Sequence, residues 1–476
     1  MTERTDVLVV GGGPAGLAAA GEAAKAGLGV VVVDENAKPG GQIYRQPPGK
    51  FRSEGGTTEE GRSLIDEIQR LPVRFLQEAT VWGQFDPGVL EVAHQAENLR
   101  IQARAVVVAV GANDRPASIP GWTLPGVVTA GGAQAMLKSQ RILPGRRILL
   151  AGAGPLQLVV ASQFAKAGVD VVAVTEAVPG PAHLRHAFGL AWGGPTLLDG
   201  LRYKLAIRKA GIPWIAPAIL TRIEGSERVE AAVVAGVDRD WRPVEGTERV
   251  LEVDAVCLGY GLVPSVEIAR LLGCRLRYEP VGDAWVPVRD ENCETTVPDV
   301  FTVGDGAGVA GVKVAVEEGR LAGLVIASRL GSRVDEAKGA RRISGVRRRL
   351  RRLKRFASAV NQIYTPGSGF YELADAGTEI CRCEEVTLEQ LDASLAAEAR
   401  DLAQLKAWTR VGMGPCQGKM CGAAVAQLVS RRTGRPLPEV GLFSVRPPVR
   451  SVPLRAVLPP AREGESAPGL DPGEGS

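Results

Sequence analysis

Val7-Leu8-Val9-Val10-Gly11-Gly12-Gly13-Pro14-Ala15-Gly16, continued by an alanine-rich run to Ala26 and by Gly29-Val30-Val31-Val32-Val33-Asp34, decides how this chain begins. An uninterrupted apolar run before the glycines predicts a strand over 6–10 buried on both faces. Pro14 suits the first turn of a helix, predicted over 14–26, and the second apolar run predicts a parallel strand over 29–34. In Gly11-x-Gly13-x-x-Gly16 the first glycine makes the turn and the second lets backbone approach a pyrophosphate. The third lets helix pack on strand, while the helix N-terminus offers N–H groups to phosphates. Asp34 ends the second strand 23 residues after Gly11, where a carboxylate can accept from ribose hydroxyls. A tight turn in any α/β protein would need the glycines alone; strand, helix, second strand and acid together predict a nucleotide site.

The pattern returns about 140 residues later: strand Arg147 to Ala151, turn Gly152-Ala153-Gly154-Pro155-Leu156-Gln157, helix to Gly168, strand Val169 to Thr175. Gln157 stands where a third glycine or alanine belongs, and its bulk is expected to disturb helix–strand packing or to intrude on a dinucleotide. Glu176 would favour a free 2′-hydroxyl. Gly152 and Gly154 are therefore candidate contacts for NAD or for an adenine nucleotide such as ADP or ATP; the alternative is a domain kept for structure alone. Buried strands at Arg104 to Gly111 and Asp254 to Gly261 each end in glycine. A further strand, Val300 to Val303, stops at Gly304-Asp305 before a helix near 313–330. Asp305 reads as a helix N-cap.

At 476 residues the chain is too long for one core. Its 57 basic and 53 acidic residues give a net charge of +4, which predicts no nucleic-acid partner. No apolar stretch approaches the roughly 20 residues of a membrane span. Three histidines, His94, His183 and His186, show no spacing to a carboxylate that marks a dyad, so no catalytic residue is nominated. Seven cysteines without a secretory context predict a reducing, cytoplasmic setting. Nine basic residues lie between Arg341 and Arg355, yet Ile343, Val346, Leu350, Leu353 and Ala357 recur at three-four spacing. That is an amphipathic helix whose stripe packs within the chain or docks a partner.

Cys381, Cys383, Cys416 and Cys421 are spaced C-x-C, 32 residues, C-x4-C. Thr387-x-x-Gln390 is a capping box that starts a helix after the first pair, and Gly412 to Gly422 is a glycine-rich loop feeding another. Four thiolates suit a [2Fe–2S] cluster or structural zinc; zinc would more naturally use two C-x-x-C knuckles, and neither pair has that spacing. Cys257, Cys274 and Cys293 are scattered and read as core or loop thiols.

The run Asp34-Glu35 to Gly40-Gly41-Gln42, the strand ending Ala109-Val110-Gly111-Ala112, and Gly304-Asp305 resemble the FAD domain of two-dinucleotide-domain flavoproteins. The resemblance implies cofactor contacts at Gly11, Gly13, Pro14, Ala15, Gly16, Asp34, Glu35, Gly41, Gln42, Val81, Ala109, Gly111, Ala112 and Gly304, with Asp305 at the ribityl–phosphate region. Tyr44, Arg45 and Lys313 either line the flavin or serve packing and surface. No cysteine lies near Gly40-Gly41-Gln42-Ile43-Tyr44-Arg45 and the second domain has no C-x-x-C, so a disulfide reductase is excluded. Gly412, Gly414, Cys416, Gly418 and Cys421 resemble the bacterioferritin-associated-ferredoxin-like (BFD-like) [2Fe–2S] module, which implies iron–sulfur ligation by the four cysteines.

Over nearly its whole length the chain is similar to the larger accessory subunit of heteromeric amine oxidoreductases: the A subunit of opine oxidase, the related one of hydrogen cyanide synthase, and the α subunits of dye-linked proline and hydroxyproline dehydrogenases. Gly259-Tyr260-Gly261-Leu262-Val263-Pro264, Glu318-Gly319-Arg320-Leu321-Ala322-Gly323 and Arg446-Pro447-Pro448 carry the likeness beside the motifs above. It implies an α/β fold: an FAD-binding domain in two parts, 1–115 and 246–335, interrupted by a second Rossmann-like domain, 116–245. A basic linker helix over 336–375, a small mainly α cluster module over 376–440 and a tail over 441–476 follow, with disorder expected from Ala461 onward. The implied role is electron transfer between flavin and cluster, with a glycine-oxidase-like flavoprotein partner oxidising the C–N bond of an amino acid, imino acid or opine. Two alternatives stay open: a self-sufficient NAD(P)H-dependent flavin reductase feeding its own cluster, and a non-enzymatic nucleotide- and zinc-binding scaffold.

Overall fold

The computed structural model describes residues 2–46, 59–95, 97–331 and 335–457; the tail expected to be disordered lies outside them. Strand Thr2–Val10, helix Pro14–Lys25 and strand Val30–Asp34 form the opening β-α-β unit, with Val7 opposite Val30 and Val10 opposite Val33. The long strand Glu97–Val108 lies on the other side of the first, parallel to it. Its inner half also pairs with Val300–Thr302, in parallel, and its outer half with Val89–His94, antiparallel. A strand from nearly 200 residues downstream thus completes the first sheet, and what lies between Asp114 and Leu262 is an excursion from it.

The excursion builds a second parallel sheet in the order Trp214–Ile215, Asp170–Glu176, Arg147–Gly152, Ala255–Gly259, Val127–Thr129. A three-stranded antiparallel sheet, residues 218–252, covers it. Two short antiparallel strands, Ala112–Asp114 and Leu262–Pro264, carry the chain out and back. The parallel strands of both sheets read as continuous Val, Ile, Leu and Ala because both faces are covered, by helices on one and largely by antiparallel strands on the other.

Helix Val312–Leu330 lies against helix Pro14–Lys25 at close backbone distance. A Cβ at Gly319 would overlap the carbonyl oxygen of Ala15, and one at Gly323 would come within 2.5 Å of the Ala19 oxygen. The glycines of Glu318-Gly319-Arg320-Leu321-Ala322-Gly323 are a packing device. The basic helix spans Glu336–Tyr364, capped by the Asp335 carboxylate. Val346, Leu350 and Ala357 are buried, and Val346 and Leu350 join the first-domain core, with Ile343 and Leu353 packed beside them. At about 1.5–3 kcal/mol for each large buried apolar side chain, that stripe anchors the helix within this chain, so it is no docking face.

Short helices Leu388–Ala396, Leu402–Thr409, Gly422–Thr433 and Leu437–Val440 form the cysteine module around a core of its own that includes Leu391, Leu405, Val425 and Phe443. The capping box of Thr387 and Gln390 is present at the start of the first. Residues 441–457 then run back over the first domain. Val449 joins its core, its N–H donates to the Trp82 carbonyl at 2.8 Å, and Ala456 packs with Trp82 and Ala93. Among the described residues no helix is long and apolar enough to cross a membrane.

Candidate functional site

The glycine turn sits at the C-terminal edge of the first sheet, and four other segments converge on it. Gly11 has φ +104°, and a Cβ there would overlap the carbonyl oxygen of Ala109; a Cβ at Gly16 would overlap the oxygen of Gly11. Gly12 N–H donates to the Asp34 carboxylate, whose other oxygen accepts from Asn36 N at 2.6 Å and from its side-chain amide at 2.8 Å. Gly40 N–H donates to the Gly12 carbonyl at 2.8 Å, and a Cβ on Gly41 would stand 2.9 Å from Gly13 Cα. Only at Gly13 is the space open: a Cβ there would meet nothing nearer than Gly41 Cα at 3.9 Å. Gly304, with φ +71°, faces Ala15, and Gly306 lies against the carbonyl of Gly111.

Asp305 accepts from Ala310 N at 2.9 Å and Gly311 N at 3.1 Å, closing the loop before helix Val312–Leu330. Burial raises its pKa, opposed by those two N–H groups. Pro14, Ala15, Ala109, Gly111 and Ala112 belong to the same convergence. Gln42 is exposed beside it, and Glu35 pairs with Arg450 at 3.1 Å. Val81 is buried in the sheet core next to a bulge, its side chain among Val10, Val33 and Val108. Arg45 reaches Ser139 at 3.2 Å and Asn36 at 3.1 Å, and Lys313 donates to Thr196 at 3.1 Å.

Sequence reasoning missed the support beneath this loop. Glu318 is fully buried; it receives two bonds from Arg289, at 2.8 and 2.9 Å, one from Lys354 at 2.7 Å and one from Gly304 N at 2.9 Å. Burial alone would raise its pKa, but Arg289 and Lys354 outweigh it and hold the carboxyl below its ordinary value. Also missed was a buried polar junction. Arg115 binds Asp283 at 3.0 Å and the Gly282 and Asp283 carbonyls, Tyr278 donates to Asp283 at 2.6 Å, and Tyr371 and Gln427 donate to the same carboxylate. It joins the excursion, the first domain and the cysteine module at one carboxylate. Such partners lie far apart in the chain, so no local pattern announces them.

In the second unit the outcome differs from expectation. Gln157 neither disturbs the helix–strand contact nor projects outward: it is buried, and Nε2 donates to the Thr175 carbonyl at 2.9 Å. The physical reason is that the side chain folds along the sheet and satisfies its amide N–H on that carbonyl, although its Oε1 is left without a partner among the described residues. Gly152 packs against Gly259, while Gly154 has open space. Glu176 is buried, accepts from Gly154 N at 3.4 Å, and burial pushes its carboxyl up to about 7. Tyr364, at the end of the basic helix, packs on the core that contains Ala153, Ala177 and Val178, beside Glu176.

The cysteine module brings the four predicted thiols into two pairs, Cys381 with Cys421 and Cys383 with Cys416. The bond to Cys421 pulls Cys381 down to about 6, opposed by burial and helped by the N–H groups of Gly412, Glu384 and Cys383. Cys421 is raised correspondingly. A Cβ on Gly414 would overlap that of Cys383, and Gly412 and Gly418, both at positive φ, pack on Phe443. Among the described residues no group of three or more His, Cys, Asp or Glu side chains is arranged to hold a metal ion. Four thiols in two pairs beneath an N–H-rich loop would supply the two thiolates per iron that a dinuclear cluster takes, so this donor set fits that group. Cys257, Cys274 and Cys293 are buried thiols whose pKa values burial raises.

Two dinucleotide-type sheets, an interrupted first domain and a converged phosphate turn define an FAD-dependent oxidoreductase. The pyridine nucleotide-disulphide oxidoreductase family matches residues 5–319, and the sarcosine oxidase A3 domain matches 379–458. The A subunit of opine oxidase from Agrobacterium tumefaciens is 35% identical over 98% of this chain and 94% of its own length. Hydrogen cyanide synthase subunit HcnB of Pseudomonas aeruginosa is 32% identical over 94% and 97%. The crystal structure of L-proline dehydrogenase from P. horikoshii shares the fold, with a TM-score of 0.68 at 22% identity over 96% of this chain and 81% of that one. The chain belongs to the pyridine nucleotide-disulphide oxidoreductase family, in the group of HcnB and the opine oxidase A subunits.

Proposed function

We propose that this chain is the flavin and iron–sulfur electron-transfer subunit of a heteromeric oxidoreductase acting on the C–N bond of an amino acid, imino acid or opine, beside a glycine-oxidase-like flavoprotein subunit. One observation carries the reading: the cysteine loop is braced onto the nucleotide turn. Gln417 and Lys419 donate to the Pro448 and Val449 carbonyls, the latter at 2.8 Å, and the next residue, Arg450, pairs with Glu35 beside Asp34. A scaffold that merely bound zinc would have no need of that link.

FAD exchanges electrons singly or in pairs and a [2Fe–2S] centre singly, which is the chemistry the two groups supply when bound. The chain's own residues hold them. Turn N–H groups and the Pro14–Lys25 helix dipole would hold the pyrophosphate at Gly13, the Asp34 carboxylate would accept from the ribose, and Asp305 would fix the loop at the ribityl end. Cys381, Cys383, Cys416 and Cys421 are the proposed cluster ligands. The segments are proposed to divide as 1–115 and 246–335 for FAD, 116–245 for the second unit, 336–375 for the linker, 376–440 for the cluster module and 441–476 for the tail. In the second unit Glu176 lies under Tyr364, which favours a structural role or a small adenine nucleotide at Gly152 and Gly154 over NAD-driven reduction.

The test is to purify the chain alone with full flavin and iron content. It is assayed with proline, hydroxyproline, sarcosine, glycine and opines and an artificial acceptor. No turnover is expected until a glycine-oxidase-like subunit is added. Robust turnover without it would refute the reading.

A further inference from the structure

Helix Pro195–Lys209 carries two apolar faces. Tyr203 and Ile207 face inward, onto the core of the second parallel sheet with Phe164 and Val171. Leu197, Leu198, Leu201 and Leu205, spaced i, i+1, i+4, i+8 on the other side, are 41%, 57%, 55% and 50% exposed. Phe188, in the short helix just before, is 84% exposed. Together these side chains offer on the order of 400 Å² of apolar surface, near the upper end of what a monomer leaves uncovered without a purpose. A standard interface needs about 800 Å² from each partner, so the patch suffices for a core and requires a polar rim.

The rim is present. Gly189 and Gly193 let this region press against Ala359 and Phe356 of the basic helix, Gly194 lies beside the Arg352 guanidinium, and Arg355 stacks on Trp192 at 4.9 Å. Arg348 and Arg352, one turn apart on that helix, have no carboxylate partner among the described residues. Their neighbours Arg349 and Lys354 are engaged by Glu317 and Glu318. Two residues along from Gly194, Thr196 accepts from Lys313, itself two residues past Gly311 in the Asp305 loop. The N-terminal end of the leucine face therefore lies beside both these guanidinium groups and the loop of the proposed flavin site.

We propose that this face is the docking surface for the partner subunit, whose matching surface is apolar and rimmed by carboxylates; this rests on the heteromeric reading above. The experiment uses the flavin-loaded full chain and a co-expressed glycine-oxidase-like flavoprotein subunit, with affinity read by analytical ultracentrifugation at low and high salt. Leu201→Glu is expected to weaken binding at least about 30-fold, as loss of a central apolar anchor does. Arg348→Glu with Arg352→Glu should weaken it most at low salt. Val250→Glu, at a residue 62% exposed on a different sheet, should leave it unchanged. Tight wild-type binding that all these variants retain would overturn the surface and leave the heteromeric reading standing. No wild-type binding would overturn both. Self-association of the chain, or adsorption to anionic vesicles, abolished by Leu201→Glu while subunit binding persists would assign the face to another occupant and overturn the proposal.

Discussion

Replacing Glu318 by glutamine should loosen the whole flavin-side loop, although the two side chains are nearly the same size. All four of its partners are donors: both Arg289 nitrogens, Lys354 Nζ and Gly304 N. The amide NH₂ must therefore face a donor whichever way it turns. Arg289 is largely buried and would be left as an uncompensated charge, whereas Lys354, 46% exposed, can hydrate and contributes little. Breaking a buried pair costs about 3–5 kcal/mol, and the low end applies because one acceptor survives. The cost falls on Gly304, next to Asp305, so flavin retention should drop with stability. Circular dichroism during urea titration and flavin fluorescence of the dialysed protein read the two effects. The pH dependence adds a check. Because the folded carboxyl lies below its ordinary 4.5, its contribution is fully present above that value. It is lost as pH falls through the folded pKa, so wild type and variant should converge in acid. A variant with unchanged midpoint and unchanged flavin content at pH 7 would refute the reasoning.

Gly13→Val should fold with near wild-type stability, since a Cβ there meets nothing within 3.4 Å, yet lose bound FAD because the side chain fills the pyrophosphate path; full flavin loading by absorbance would sink the assignment. Gly414→Ala must displace Cys383, and iron content measured after anaerobic purification should fall well below wild type. Glu176→Gln should flatten the alkaline loss of stability. A carboxyl raised to about 7 in the fold leaves the folded state holding more protons than the unfolded, so wild-type stability falls between about pH 5 and 8 by up to about 3 kcal/mol. Thermal midpoints of both proteins across that range check the sign.

What the sequence made legible is what depends on neighbours in the chain. The strand–turn–helix at Val7 to Gly16, the glycines that permit backbone contact, the capping box at Thr387 and the stripe Val346, Leu350, Ala357 all follow local periodicity and sterics. Gln157 was misleading because its side chain lies buried along the sheet and donates to the Thr175 carbonyl, on a strand that only the fold sets beside it. Glu318 lies within a readable motif, but its role is defined by Arg289 and Lys354 on other elements. Asp283 gathers Arg115, Tyr371 and Gln427 from three segments. Residues 441–457 have neither helical nor strand period, so their return over the first domain left no pattern to read. The leucine face of Pro195–Lys209 is masked by the helix's second, inward face, which cancels the amphipathic signal.

The central claim, that flavin and a [2Fe–2S] centre share this chain, is tested most directly by electron paramagnetic resonance of anaerobically purified, dithionite-reduced protein, with iron, sulfide, zinc and flavin quantified on the same sample. About two irons, two acid-labile sulfides and one flavin per chain are expected, with a rhombic signal that Cys383→Ser removes. Stoichiometric zinc with no labile sulfide and no signal, in protein never exposed to oxygen, would contradict it.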